Sequence, residues 1–396
     1  MSPSKRCFDV IVVGGGVMGG SIALHLALGG VGRVLLIEKK YPGAGSTGKS
    51  GAILRQHYSH KVTIGMARES LLWYRSFQER NDIDIGFNQA GMVFICSESN
   101  LSSLERNVEV QCSLGVDARV IGPEDLRELE PCGVFNSSDR AAFEPEAATV
   151  HPVKTVHAII DLARNAGAEI LIGERVVAFE RSGDRFTGVR LSSGESIDAG
   201  MVINAAGPWA GNLMEEAGIE VPLRAIRPQQ AFFEPPPGCG ERRMVYGDLV
   251  HGIYWKPESA GWTRIGNLDS EGDDEVPDPD DYDEGVSREF IDDCRERIGL
   301  RLPHYLNTPS WGGCGALYTM TPDSHPLVGP VPAMEGLWLV SGFSGHGFKL
   351  APAIGLGVAA AITGTDGGAF DTDFFAVDRF QRGQPVTVSY GYGILG

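Results

Sequence analysis

Residues Phe8 to Gly19 read FDVIVVGGGVMG, and the fold of the chain is decided there. FDVIVV is a short apolar run rich in β-branched residues, the pattern of a strand buried on both faces. Gly14, Gly16 and Gly19 follow at G-x-G-x-x-G spacing. SIALHLAL then places Ile22, Leu24, Leu26 and Leu28 in a helix-length segment, which Gly29-Gly30 ends. A second strand runs from Arg33 to Ile37 and closes on Glu38. In such a unit Gly14 permits the tight turn, Gly16 lets the backbone approach a pyrophosphate, and Gly19 lets the helix pack closely on the sheet. The helix N-terminus presents N–H groups and a partial positive charge to phosphates. Glu38, 19 residues beyond Gly19, is placed to accept hydrogen bonds from ribose hydroxyls. The glycine triplet alone is a weak signal. Flanked by both strands and closed by an acid, it predicts a dinucleotide-binding crossover.

Two more glycine-rich turns lie far downstream. A strand at Met201 to Ile203 leads into NAAGPWA, residues 204–210, with Ala205, Ala206, Gly207 and Trp209. Small residues after a strand let the backbone lie against a ligand. SGFSGHGFK, residues 341–349, opens a predicted helix from about Leu350 to Ile362. Three separated turns converging on one long ligand suit FAD better than a nicotinamide nucleotide.

Composition sets the outer bounds. The 396 residues are 42% hydrophobic and 21% charged, which is globular composition. A net charge of −17 without a basic cluster argues against nucleic acid. Ten acidic and no basic side chains lie between Asp269 and Glu284, a run that reads as a solvated surface loop. The cysteines, at 7, 96, 112, 132, 239, 294 and 314, have no C-x-x-C spacing and join no histidine cluster, so no metal site and no disulfide framework is expected. Reduced thiols suit a cytoplasmic protein. No membrane span is expected, because the most apolar stretch, Val10 to Val31, is interrupted by glycines and His25. No signal peptide is expected either, since MSPSKRC runs directly into the first strand.

Four motifs carry a resemblance that covers nearly the whole chain. They are FDVIVVGGGVMG with VLLIEK, GSTGKSGAILRQHYS at Gly45 to Ser59, VINAAGPWA, and the pair YTMTPDSHPLVG and SGFSGHGFKLAPAIG. Together they resemble the D-amino-acid oxidase superfamily of FAD-dependent oxidoreductases, in its sarcosine oxidase and dimethylglycine dehydrogenase branch. The last motif is similar to monomeric sarcosine oxidase. The second, with Trp311-Gly312-Gly313, is closer to the β subunit of the heterotetrameric enzyme. The resemblance implies an α/β fold: a discontinuous Rossmann-like FAD domain (1–84, 146–220 and 311–396) and a substrate domain (85–145 and 221–310) built on a large antiparallel sheet. Strand candidates at Gly91 to Ile95, Gln230 to Phe233 and Gly252 to Trp255, with a turn at Pro235 to Gly238, are compatible with that sheet. The implied FAD contacts are Gly14, Gly16, Val17, Met18, Gly19, Glu38, Lys39, Ser46, Thr47, Ser50, Gly51, Val176, Val177, Ala205, Ala206, Gly207, Trp209, Gly342, Gly345, His346, Gly347, Phe348 and Lys349.

The implied chemistry is oxidation of a C–N bond in a small secondary amine, N-methyl or cyclic, that carries a carboxylate. Hydride passes to flavin and the imine hydrolyses. Positioning is most of the protein's work in such a reaction. Arg55 and Lys349 resemble a clamp on the substrate carboxylate. Tyr318 and Tyr254 could line the pocket with an apolar face and a polar tip. His346 sits inside the third glycine turn, where flavin or backbone could hold it, and His57 reads as a satisfied local histidine. Three departures from the resemblance stand out. Ala316 occupies the position that carries a flavin-tethering cysteine in monomeric sarcosine oxidases, and Cys314 lies two residues earlier, so FAD is expected to be non-covalent. Arg264 matches best the lysine that promotes reaction with oxygen, which leaves oxygen or another electron acceptor open. His151 falls near a histidine that anchors a second flavin, but it reads equally as a turn residue before Pro152. The same residues suit D-amino acids, glycine or 2-hydroxy acids as alternative substrates. They also suit a flavin-bearing subunit of a larger electron-transfer complex with partner subunits.

Overall fold

The computed structural model describes residues 7–238, 244–268 and 273–387. Cys239 and the start of the acidic run, 269–272, lie outside the described residues, as do residues 1–6 of the N-terminal segment.

The first strand, β1 (Cys7–Val13), helix α1 (Val17–Leu28) and β2 (Val34–Glu38) form the expected crossover unit. β1 is the hub of the first sheet. It pairs in parallel with β2 on one side and with Ser196–Asn204 on the other. Glu169–Ile172 extends the sheet beyond β2, and Leu337–Ser341 joins in parallel beside Ser196–Asn204. The strand before the second glycine turn is therefore longer than Met201 to Ile203, and its C-terminal end lies beside that of β1. Alternate residues of β1 feed different cores. Val10 and Val12 pack with α1, while Ile11 and Val13 pack on the opposite face with Leu35, Ile37 and Val202. Burial on both faces is why the run is apolar without alternation.

The second large sheet has eight strands in the order Ser310–Gly315, Gln229–Phe233, Thr263–Asn267, Ile253–Pro257, Val245–Asp248, Met92–Cys96, Arg140–Glu144 and Arg119–Ile121. All pairs are antiparallel except Val245–Asp248 with Met92–Cys96. The strand candidates at Gly91, Gln230 and Gly252 all lie in it, each within a residue or two of the expected bounds. Ser310–Gly315 also belongs to this sheet, so the sheet reaches past the expected boundary at 310/311.

The helix after the third glycine turn, Gly347–Thr363, starts earlier than sequence suggests and crosses α1. Ser21 Oγ donates to the Ala351 carbonyl at 2.7 Å across that contact. Pro352 lies inside the helix and has no N–H for the Phe348 carbonyl four residues back. Buried Tyr74 replaces it, its hydroxyl donating to Phe348 O at 2.8 Å. Ser70 Oγ meanwhile accepts from Ala353 N at 3.2 Å. The first turn of this helix, which carries Phe348 and Lys349, is thus held by a neighbouring helix, Lys61–Arg75.

Replacing Tyr74 by Phe keeps the ring and leaves that carbonyl buried without a donor. The expected cost is about 1–3 kcal/mol, read as a lower midpoint in urea denaturation of the FAD-bound protein. An unchanged midpoint would show that the carbonyl does not depend on Tyr74.

Candidate active site

A cavity of about 570 Å³ opens where the C-terminal ends of β1 and Ser196–Asn204 meet the eight-stranded sheet. The turn after β1 enters it at Gly14, whose φ of +111° disfavours any side chain. A Cβ on Gly14 would stand 2.5 Å from the Ala205 carbonyl oxygen. The first and second glycine-rich turns therefore touch through backbone. Gly19 is equally constrained, since its Cβ would strike the Gly14 carbonyl. α1 begins at Val17 with no side-chain cap on Gly16, although Val17 N–H donates to Thr47 Oγ1 at 3.1 Å. Glu38 accepts from Gly15 N at 2.7 Å and from Lys40 N at 2.8 Å. Its carboxylate braces the turn and keeps lone pairs for a further donor.

The cavity wall includes most of the expected contacts. Gly14, Gly16, Val17, Met18, Glu38, Lys39, Ser46, Thr47, Ser50, Val176 and Val177 line it. So do Ala205, Ala206, Gly207, Trp209, Gly342, Gly345, Gly347, Phe348 and, from YTMTPD, Tyr318. Gly19, Gly51, Arg55, Tyr254, Arg264, His346 and Lys349 are not wall residues. All but Arg55 lie next to one that is, in sequence or in space, and Arg55 reaches the wall through His346, which stands between Gly345 and Gly347. Ala316 is a wall residue and has no thiol. Cys314 sits in Ser310–Gly315 opposite Gln230.

Behind Gly345, Gly347 and Phe348 a buried cationic cluster has formed. Arg55 and Lys349 are 6% and 9% exposed. The Arg55 guanidinium donates to the His57 carbonyl, approaches His346 Nδ1 at 3.4 Å and lies 4.4 Å over the Tyr58 ring. Tyr58 Oη is 3.2 Å from the same Nδ1. With two donors aimed at it, Nδ1 is the acceptor nitrogen, so Nε2 carries the proton. That Nε2 is buried and has no hydrogen-bond partner among the described residues. Burial, then Lys349 and Arg55, hold His346 well below the usual histidine pKa, so the ring is neutral. Burial first, and the Arg55 charge second, hold the Lys349 ammonium well below the ordinary lysine range. Lys349 makes no ion pair among the described residues. Glu144, the buried acid of this region, is bonded to Gln56 N at 2.9 Å and Gln111 Nε2 at 2.6 Å, and burial raises its pKa.

His57 is a packed local histidine, as sequence suggests. It stacks on Phe94 at 4.6 Å and meets Asn107 Nδ2 at 3.3 Å, and burial lowers its pKa to about 3. His151 is the residue before Pro152 that caps helix Pro152–Asn165, accepting from Lys154 N. Arg264 is ion-paired to Glu258 at 2.5 Å and also donates to Gln230 Oε1 and the Lys49 carbonyl. It is not a free cation.

Sequence reasoning missed Lys256. It lies across from Arg264 in the sheet, donates to the Gly51 carbonyl at 2.6 Å and pairs with Glu258 at 3.2 Å. Burial lowers its pKa to about 8, with Glu258 opposing. A signal existed: Lys256 is two residues beyond Tyr254 on one strand, so both project from the same face. Gln230, Lys49 and Arg175 were missed as well, and all three line the cavity. The acidic run also needs correction. Its described part is more than a solvated loop, because Asp280 and Glu284 pair with cations of the cavity wall. Among the described residues no His/Cys/Asp/Glu group could hold a metal, and no helix is long and apolar enough to cross a membrane.

A profile of the family described as FAD dependent oxidoreductase, DAO, matches residues 9–361. The chain belongs to this family. It is an FAD-dependent oxidoreductase with the family's α/β fold, as the motifs implied. The β subunit of sarcosine oxidase from an Arthrobacter species is 28% identical, over 96% of this chain and 93% of that protein. The 4-methylaminobutanoate oxidase (formaldehyde-forming) of Paenarthrobacter nicotinovorans is 26% identical over 94% of this chain, which spans about half of that longer protein (46%). The crystal structure of L-proline dehydrogenase from P. horikoshii superposes with a TM-score of 0.88 at 27% identity, covering 96% of this chain and 100% of that one. The cavity fits FAD by its own geometry. Two backbone turns meet with no room for a side chain, an acid stands at the end of β2, and the volume falls in the ligand-pocket range of about 300–1,000 Å³.

Gly14→Ala is expected to yield protein that purifies without its flavin, because the added methyl meets the Ala205 carbonyl in an unfavourable φ region. The check is the ratio of visible to ultraviolet absorbance. Full flavin content would show that the two turns can separate without loss of the site.

Proposed function

We propose that this flavoenzyme oxidises the C–N bond of a small secondary amino acid, N-methyl or cyclic, with the substrate carboxylate held by Arg55 and Lys349. The observation that carries this is the pair of buried cations with a depressed lysine between burial and a like charge. A carboxylate entering there removes the repulsion and gains charge-assisted hydrogen bonds. The names of the similar proteins support the amine: sarcosine, proline and 4-methylaminobutanoate each combine a secondary amine with a carboxylate.

The residues divide the work. Glu38, the Gly14 turn and the α1 N-terminus hold the dinucleotide, and we propose that FAD is bound non-covalently, since the wall carries Ala316 where a tether would stand. FAD would supply the electron sink, accepting a hydride equivalent from the carbon beside nitrogen. Arg55 and Lys349 fix the carboxyl end, and His346 Nε2–H offers a donor to the bound ligands. Tyr318 packs its ring on Gly345, where a Cβ would lie 2.9 Å from Cε2, and with Tyr254 forms an apolar wall around the amine. Burial raises both hydroxyl pKa values, so both stay protonated. In the proposed division, segments 1–84, 146–220 and 311–396 hold FAD. Segments 85–145 and 221–310 then roof it, with strand Ser310–Gly315 added to the roof. The six cysteines among the described residues are unpaired, which supports a reducing compartment such as the cytoplasm. Similarity to a sarcosine oxidase subunit supports partner subunits.

Anaerobic mixing with a panel of amino acids tests the assignment. N-methyl and cyclic amino acids are expected to bleach the flavin, while primary D-amino acids and 2-hydroxy acids react much more slowly. Arg55→Ala is expected to keep its flavin and to lose roughly a hundredfold in affinity for carboxylate substrates. Preferential bleaching by a D-amino acid or a hydroxy acid would move the enzyme to another substrate class.

The lysine makes a separate prediction. The charged form binds carboxylate, and its pKa is depressed, so it loses its proton at lower pH than an ordinary lysine. The affinity of a small carboxylate lacking an amine, read from the flavin spectrum, is expected to fall as pH rises through that depressed value. Lys349→Met should bind weakly with a flat profile. A flat profile in the parent protein would remove Lys349 from the clamp.

A further inference from the structure

Strand Asp274–Glu275 edges a small three-stranded sheet, pairing with Arg224–Arg227, and an acidic crossing runs from it to helix Arg288–Arg301. Val276 anchors this crossing at one end, buried beside Ala225 and Leu317, and its N–H donates to the Ala225 carbonyl at 2.9 Å. Arg227 anchors the other end, donating to the carbonyls of Asp283 at 2.6 Å and Gly285 at 2.8 Å. Between those anchors two acidic side chains, Asp280 and Glu284, pair with cations of the cavity wall. The Asp280 carboxylate is shared between Lys39, at 2.5 Å, and Arg175, at 2.7 Å. Lys39 sits just past β2 and Arg175 just before the strand Val176–Ser182, so one carboxylate ties two separate segments of the dinucleotide fold. Lys39 Nζ also lies 3.4 Å over the Trp209 ring. Farther along, Tyr282 Oη at 2.7 Å and Glu284 at 2.8 Å hold Lys49. Lys39, Arg175, Lys49 and Trp209 all line the FAD cavity.

A basic side chain on such a wall can pair with a ligand phosphate or with a protein acid. All three of these pair with the acidic segment. Each pair is partly exposed and weak by itself. They act together because they belong to one short segment fixed at both ends, and opening the mouth means breaking several at once. No thiol at Ala316 stands ready to tether the flavin, so retention falls to contacts that can be reversed.

We propose that residues 278–284 form an electrostatic clasp across the cofactor cavity that sets the rate at which FAD leaves and enters, with Asp280 as its central tie. The inference rests on FAD binding and not on the choice of amine, so it survives a change of substrate class.

The test follows FAD release from the holoprotein by the rise in flavin fluorescence, in wild type, Asp280→Asn, Glu284→Gln and Asp281→Asn. Asp281 is an exposed neighbour that supplies the same charge change. Asp280→Asn is expected to release FAD about tenfold faster, with a smaller acceleration in Glu284→Gln and none in Asp281→Asn. Added salt should accelerate release from wild type and act less on Asp280→Asn. The thermal midpoint of apoprotein is the second readout, and it should be the same in all four. Equal release rates in Asp280→Asn and Asp281→Asn would overturn the clasp. So would a fall in the apoprotein midpoint of Asp280→Asn as large as that of its holoprotein, which would make the ties structural.

Discussion

The contact between the Gly14 turn and the Ala205 carbonyl constrains everything else. Three segments separated by well over a hundred residues must bring backbone to one cavity, and backbone can reach it only where side chains are absent. Gly14 solves this with a positive φ and Gly19 with a helix seated on the turn itself. Ala205 and Ala206 meet them from the parallel neighbour of β1. The two strands must end together for this to happen, and their register does it: Val13 pairs with Asn204. A one-residue slip would carry the small residues past the turn and expose the apolar faces that fill two separate cores.

The third segment obeys a different rule. Its helix carries a proline within the second turn, which would ordinarily cost a hydrogen bond. Tyr74 and Ser70 absorb that cost from the neighbouring helix. Phe348 and Lys349 are thereby set by contacts among three helices rather than by the loop before them. Rigid support of this kind matters for Lys349, because a flexible lysine stem would escape to water sooner than remain buried beside Arg55. The cationic cluster is held in an unfavourable place by packing, and in the proposed clamp an entering anion would relieve that cost.

Much of this was legible in the sequence because the decisive signals are local. A strand, a glycine triplet, a helix and an acid occupy consecutive positions, and each restricts the next. The strands near Gly91, Gln230 and Gly252 were found by the same local pattern. What remained hidden depends on long-range pairing. The acidic run has no periodicity and reads as solvent-facing, yet the partners of Asp280 and Glu284 lie 241, 105 and 235 residues away. Lys256 was overlooked although its spacing from Tyr254 was available. One lysine among many gives no sign that its neighbours will be Glu258, Arg264 and the Gly51 carbonyl. Ser310–Gly315 joined the second large sheet unforeseen for a related reason: three glycines in six residues weaken a strand signal. Gly313 lies so close to Gln230 that a Cβ would collide with its backbone.

The proposed functions divide the cations of this region into two sets governed by opposite physics. At the dinucleotide end, contact is steric and backbone-mediated, and the cations on the wall are already neutralised by Asp280 and Glu284. At the proposed substrate clamp, Arg55 and Lys349 are buried, and Lys349 has no acid paired to it among the described residues. Had the wall cations stayed unpaired, two competing anion sites would have stood a cavity's length apart, and a small carboxylate could have bound at either. Neutralising one set leaves the other as the site where a small anion gains most. If the proposed clamp and clasp both hold, the acidic segment would favour substrate placement as well as closure without touching either reacting atom.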